Sequence, residues 1–459
     1  MKDDQFIATS TTTTTTIVDH PLSGPLDLPE ILAIVARWLR EDRASLISSL
    51  CVSKGFYHAF VPHVWYSLAL GWPQLIPLDV VTAHARYVQT LSFKSILPYE
   101  YKNMYFPRLN HLSLGTLVGP EWTLDAYSAI VRAHKTTVES LTLGITLDFI
   151  SDDEFWRCVG DIQTLRRLHM ATINVEGEER ARIFWYLCEN RLTRLEIERG
   201  AILNTKSSNA AMAVAGPEAW SLLERVNASF VQFDGPSFDQ LVDLLGRSQN
   251  LRSLIWSTLS TFSSSSLGQP LSLAPLAQLL SDSPSGLWPF LTVLHLTESH
   301  LSDAQLAATL KSLSIGLKDL HIQGSEVGPQ SMQTLLSRHA ATMTYLTIHE
   351  CDLFTSAMMI EVLCSCPRLF SVSGNGLLAS DIAKSTRPWV CCSQLQEWHL
   401  VVYCDLEGLE NLVYRKLSTL GKLKVMDLNH RLGQIGLRPH REEDGSRLFY
   451  FRRLQIKRD

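Results

Sequence analysis

From Val88 onward the chain repeats one pattern, apolar-x-x-apolar-x-apolar, and the repetition becomes regular in its second half. The pattern reads Leu291-x-x-Leu294-x-Leu296, Leu317-x-x-Leu320-x-Ile322, Met343-x-x-Leu346-x-Ile348, the weaker Leu369-x-x-Val372, and Leu395-x-x-Trp398-x-Leu400. The first positions 291, 317, 343, 369 and 395 differ by 26 each time. A unit of this size is too small to bury its own apolar face, so a continuous core forms only when neighbours stack. The spacing within the pattern is that of a strand whose first, fourth and sixth positions point inward, each large aliphatic contributing about 1.5–3 kcal/mol on burial.

Extended over the chain, the register has first positions Val88, Leu109, Val138, Leu165, Leu192, Leu223, Leu251, Leu291, Leu317, Met343, Leu369, Leu395, Leu423 and Phe451, about 14 units over residues 88–459. The 40-residue gap from 251 to 291 contains Ser263–Ser266 and Ser281–Ser285, which predicts a serine-rich insertion near 258–286. A smaller insertion, Thr205–Gly216, precedes Leu223. Between the strands, stretches such as Asp303–Leu313 and Gln330–His339 carry helical periodicity. The expected fold is an α/β solenoid shaped as a horseshoe, with parallel strands on the concave face and helices on the convex face. Such a surface suits recognition.

The N-terminal part differs. Residues 1–25, with the threonine run Thr11–Thr16, have little that could enter a core and are expected to be disordered. At Asp27-Leu28-Pro29-Glu30 the spacing is that of a capping box, and Ile31, Ile34, Val35 and Trp38 follow as one apolar helical stripe. Two further short amphipathic pieces, around Ala44–Leu50 and Lys54–Val61, complete a three-helix module over 26–70, with a linker at 71–87 before the repeats.

Composition excludes several classes. A formal net charge of −5 gives no global attraction to nucleic acid or anionic membrane. The sequence contains no apolar run of the roughly 18 residues that a membrane span requires, and its first residues carry no apolar signal core. Cytoplasmic or nuclear residence is expected, with the nine cysteines reduced and the sequon Asn227-Ala228-Ser229 unused. No G-x-S-x-G, P-loop or H-E-x-x-H motif occurs, so neither an active site nor a cofactor is expected.

Leu28-Pro29-Glu30-Ile31-Leu32, Leu50-Cys51-Val52-Ser53-Lys54 and Val64-Trp65-Tyr66-Ser67-Leu68 together resemble the F-box, a helical module of this size. The sequence departs from that motif where Glu30 follows Pro29 directly and where Phe56 replaces a common Trp. The repeats resemble the cysteine-containing class of leucine-rich repeat: Cys351 follows Leu346-Thr347-Ile348-His349-Glu350 at the turn, Ser299 and Ser325 hold the equivalent places, and Cys364-Ser365-Cys366-Pro367 precedes the next strand. An F-box followed by such repeats is similar to the substrate receptors of SCF (Skp, cullin, F-box) ubiquitin ligases. That resemblance implies no enzyme activity in this chain. It implies docking of Leu28, Pro29, Ile31, Leu32, Val52 and Trp65 on a Skp-type adaptor, a cullin held through that adaptor, and a protein substrate on the repeats. The alternative is a repeat scaffold whose helical module acts outside ubiquitination.

On the repeats, Arg167, Arg194 and Arg225 share the third pattern position of consecutive units, which predicts an arginine ladder on the concave face. Either Glu196, Glu198 and Glu224 neutralise it, or it receives an acidic or phosphorylated peptide. His295 and His321 share the fifth position of adjacent units and are substrate-contact candidates; two imidazoles do not make a metal site, which needs three or four ligands. The C-x-C and C-C spacings of Cys364, Cys366, Cys391 and Cys392 fall outside the usual zinc pairs, so no metal is expected.

Overall fold

A computed structural model describes residues 28–71, 76–94, 99–115, 122–144, 152–171, 174–198, 202–204, 221–229, 232–233, 235–257, 288–313, 316–403, 408–420, 425–426, 436–441 and 447–452. The threonine-rich start, Asp27 and both expected insertions lie outside the described residues.

Among the described residues one parallel sheet of 14 strands runs in sequence order, from Ser67–Leu70 to Val425–Met426. Its register is that of the repeat pattern. Leu294 pairs with Leu320, Leu320 with Leu346 and Leu346 with Val372, so like positions stack in rows across the sheet. These rows are buried, and they form one contiguous core from Leu68 to Leu420. Helices such as Asp303–Ser312, Pro329–Arg338 and Ser356–Ser365 cover the other side of that core. Strands spaced at about 4.8 Å stack more tightly than helices at about 8–10 Å, so the sheet lies on the inside of the curve.

The turn after each strand also repeats. Glu298, Gly324 and Glu350, 26 residues apart, all adopt positive φ (54°, 66° and 52°). That conformation suits glycine and costs other residues roughly 1–2 kcal/mol. The residues that follow them, Ser299, Ser325 and Cys351, are buried in the turn; the Ser299 and Ser325 hydroxyls bond to each other, and the Cys351 thiol donates to the His349 carbonyl at 3.1 Å. A small polar residue is needed there, which is why serine and cysteine exchange. Cys366 and Cys391 are also buried, and burial pushes each thiol up to about 12.

The structure revises two boundaries of the repeat region. Ser67–Leu70 pairs in parallel with Thr90–Phe93 and is already a strand of the sheet, and the expected linker contains the helix Leu78–His84. The solenoid therefore starts about 20 residues before Val88: Trp65-x-x-Leu68-x-Leu70 carries the full apolar pattern, with Leu68 in register with Leu91 and Trp65 in the place of Val88. At the other end, Phe451 does not join the stack. Arg447–Arg452 pairs antiparallel with Gly436–Arg441 as a hairpin.

Ahead of the sheet stand α1 (Pro29–Trp38), α2 (Arg43–Ser49) and α3 (Lys54–Val64), with a separate small core of Leu32, Ala36, Leu46 and Phe60. Side chains cap two of these helices: Asp42 accepts from Ser45 N–H at 3.1 Å, and Ser53 accepts from Phe56 N–H at 3.2 Å. At α1 the cap is Leu28, whose side chain makes no capping bond, and Pro29 takes the first helical position, where its missing N–H costs nothing. The helix thus begins one residue later than the capping box at Asp27 implied. Pro62 sits inside α3 without ending it.

Two buried histidines tie helices to the strand layer. Phe106 N–H donates to His134 Nε2 at 2.9 Å, while His134 Nδ1–H donates to the Ile130 carbonyl at 2.8 Å. Leu317 N–H donates to His339 Nδ1 at 3.2 Å, and His339 Nε2–H donates to the Leu310 carbonyl at 3.0 Å. Each ring is therefore a neutral tautomer, and burial holds both below the ordinary histidine value of 6.5.

Two predictions follow from this packing. Leu320, fully buried between two leucine neighbours, should cost about 2–5 kcal/mol as Leu320→Ala in denaturant melts. A loss as small as that of an exposed substitution would contradict the register. For His134 and His339 the folded-state pKa lies below the unfolded one, so their contribution to stability is complete above about pH 6.5 and is lost as the pH falls through the folded values. Melts at descending pH should show this fall, and a His134→Asn/His339→Asn variant should be less stable at neutral pH but lose less on acidification.

Candidate functional site

Two surfaces carry the residues singled out in the sequence. The first is the helical module. On α1, Leu32 and Ala36 point to the small core, one turn apart, while Ile31, Ile34 and Trp38 face out. The helix is thus apolar on two sides, and its own module buries only one. Trp38 is 85% exposed and Val52 64%; Leu28, Ile31, Ile34 and Ile47 are also exposed large hydrophobics. Of the six residues expected to touch an adaptor, Leu28, Pro29, Ile31 and Val52 are accessible. Leu32 is 3% exposed and supports the face from inside. Trp65 is partly buried against the long core and stacks on His84, with ring centroids 4.4 Å apart. Its large ring does not join the exposed face but fills the seam between module and solenoid. Arg40 strengthens the same seam, its guanidinium 4.0 Å from the centroid of the Tyr66 ring. Only Trp65 and Tyr66 separate α3 from the first strand.

Sequence reading left Ile34, Trp38 and Ile47 out of the candidate set. The signal was present in the stripe Ile31, Ile34, Val35 and Trp38, but an apolar stripe alone does not say whether it faces inward or outward.

The second surface is the strand face opposite the helices. Arg167 pairs with Arg194 and Arg194 with Arg225, so the three arginines are neighbours in one row. Arg167 and Arg225 are exposed and Arg194 is half-buried. Among the described residues no carboxylate lies within ion-pair distance of any of them. Glu198 is engaged by His169 instead, Nε2 to Oε1 at 3.0 Å. The neutralising network of Glu196, Glu198 and Glu224 therefore does not form among the described residues, although Glu196 shares the strand face of Arg194.

Farther along, His295 and His321 face each other in register, with ring centroids 5.4 Å apart. Asp319 Oδ1 lies 3.1 Å from His295 Nε2, near enough for charge attraction but without hydrogen-bond alignment. Burial, and then the neighbouring His295 and His349, hold His321 below the usual imidazole value. Among the described residues no group of three or more His, Cys, Asp or Glu side chains converges as a metal-ligand set. No helix among them is long and apolar enough to cross a membrane.

No family model and no curated protein matches the chain. Among solved structures, the crystal structure of the Rad7 and Elc1 complex in yeast contains a chain that is similar over 76% of this chain and 88% of its own, with 14% identity and a TM-score of 0.41. A leucine-rich-repeat protein of Leptospira interrogans is similar over 81% of this chain and 80% of its own, with 13% identity and a TM-score of 0.35. The overall superpositions are loose. The leucine-rich-repeat architecture is carried by the in-register parallel sheet, its helical outer layer and its 26-residue period.

The two faces of α1 should respond differently to substitution. Trp38→Ser should leave stability within about 0.5 kcal/mol, whereas Phe60→Ala should cost the module about 3–5 kcal/mol. Limited proteolysis within 28–64 measures this, and equal sensitivity of the two variants would contradict the assigned orientation of α1.

Proposed function

We propose that this chain is a non-catalytic receptor of an SCF-type ubiquitin ligase. The helical module binds a Skp-type adaptor and, through it, a cullin; the solenoid holds the protein to be modified. The observation that carries this reading is the uncovered apolar face of Leu28, Ile31, Ile34, Trp38 and Val52 on a module with its own core. An apolar helix face of this kind is read by a groove in a partner, with anchors spaced along successive turns. The direct passage from α3 into the first strand gives the receptor a fixed geometry between its two surfaces. Its contribution to ubiquitin transfer is proximity: a substrate held near a charged conjugating enzyme meets it at high effective concentration.

Co-expression with a Skp-type adaptor tests the reading. The wild-type chain should co-purify with the adaptor, and Ile31→Asp/Ile34→Asp should lower recovery at least tenfold, since each buried charge costs the interface more than about 1.4 kcal/mol. Equal recovery from both, with the solenoid melting normally, would overturn it.

A further inference from the structure

The row that contains the arginine ladder has a built-in comparison. At the same register position the strands before it carry Ser67, Thr90, His111 and Ser140, and the strand after it carries Ser253. Farther along, the position holds Val293, Asp319, Tyr345 and Ser371, so the sheet accepts varied side chains there, and among the described residues no other strand carries Lys or Arg at it. Three arginines in succession are a local departure, and a costly one, since like charges placed opposite each other across strands destabilise the pairing. They are not committed elsewhere in the fold: among the described residues none of the three has an ion-pair partner. The nearby Arg166 and Arg191, by contrast, donate to backbone carbonyls, Arg166 to Arg191 O at 3.1 Å and Arg191 to Ile162 O at 2.6 Å.

The surroundings favour an anion. The next outward-facing row along the strands holds His169, Glu196 and Asn227 in register. His169 already uses Glu198, and Glu196 is the one carboxylate of that row, against three guanidinium groups in the next. Ser140 and Ser253 flank the ladder with hydroxyls, and the Ser140 hydroxyl lies 2.8 Å from His111 Nδ1. Burial first, and then the neighbouring Arg167 and His169, hold His111 below its usual value.

We propose that Arg167, Arg194 and Arg225 form a subsite for an anionic stretch of a protein substrate, in which consecutive carboxylates or a phosphorylated side chain take the arginine forks. The inference rests on the reading of the solenoid as the substrate-holding surface. Two steps of about 4.8 Å between strands set the outer arginines about 10 Å apart, and an extended peptide covers that distance in about three residues at 3.3–3.4 Å each. A run of three or four acidic residues laid across the strands thus meets every arginine. Guanidinium forks hold carboxylate or phosphate oxygens bidentately, which ammonium groups do not.

Fluorescence anisotropy with the full chain, in complex with its adaptor where one is bound, tests the proposal. Three labelled probes of equal length are used: a peptide with a run of glutamates, the same peptide with one phosphothreonine among serines, and a serine-only peptide. At least one anionic peptide should bind ten times or more tighter than the serine-only peptide, and which one does so tells a carboxylate run from a phosphate. Arg167→Gln/Arg194→Gln/Arg225→Gln should lose that gain while melting as the wild type does. Lysine at all three positions should recover part of it, and Glu196→Gln should tighten it. No preference for either anionic peptide, or a preference unchanged in the glutamine variant, would overturn the proposal, as would tighter binding of a single-stranded oligonucleotide than of both peptides. Adaptor recovery in the same preparations should be equal for all variants, so a failure here is separable from a failure of the ligase reading.

Discussion

The stacking of like side chains in parallel register is the interaction on which everything else in this molecule depends. Leu320 is buried because Leu294 and Leu346 lie on either side of it in the same row, and neither unit could bury its own leucine. The same register that fixes the core also fixes what faces away from it. Once Leu168, Leu195 and Val226 stack, Arg167, Arg194 and Arg225 must stand side by side. The ladder of like charges is thus imposed by the core, and its repulsion is a cost that the leucine rows offset.

The helical module obeys a different rule. Its core of four fully buried residues is small, and α1 spends several of its apolar side chains on solvent. Trp65, Arg40 and Tyr66 join it to the first strand, so the module is braced by the solenoid without merging with its core. A chain that keeps a tryptophan 85% exposed beside isoleucines gains nothing for its own fold from that placement.

Much of the repeat fold was legible because a period of 26 and an inward triplet are strong, redundant signals. The strands at 293–297, 319–323 and 345–349 fall where the pattern put them. The failures lie at the ends, where redundancy is lost. The first unit has the full triplet Trp65-x-x-Leu68-x-Leu70, but the same residues also match the end of the helical module, while Phe451 satisfies the pattern but pairs antiparallel. The arginine row was legible from spacing alone, since register fixes neighbours. The fate of Glu198 was not, because its pairing with His169 depends on side-chain geometry that a pattern does not encode. For α1 the sequence shows apolar residues on both Leu32 and Ile34 sides of the helix, and only packing decides that Leu32 turns inward and Trp38 outward.

Hydrogen–deuterium exchange of the full chain, alone and with a Skp-type adaptor, reads the division of labour between module and solenoid directly. Binding should slow exchange in α1, in α2 and around Val52, and leave the strands from Arg167–Met170 to Arg225–Ser229 unchanged. Protection spread along those strands, or absent from residues 28–64, would contradict a receptor that holds its ligase by the helices and keeps its strand face free for substrate.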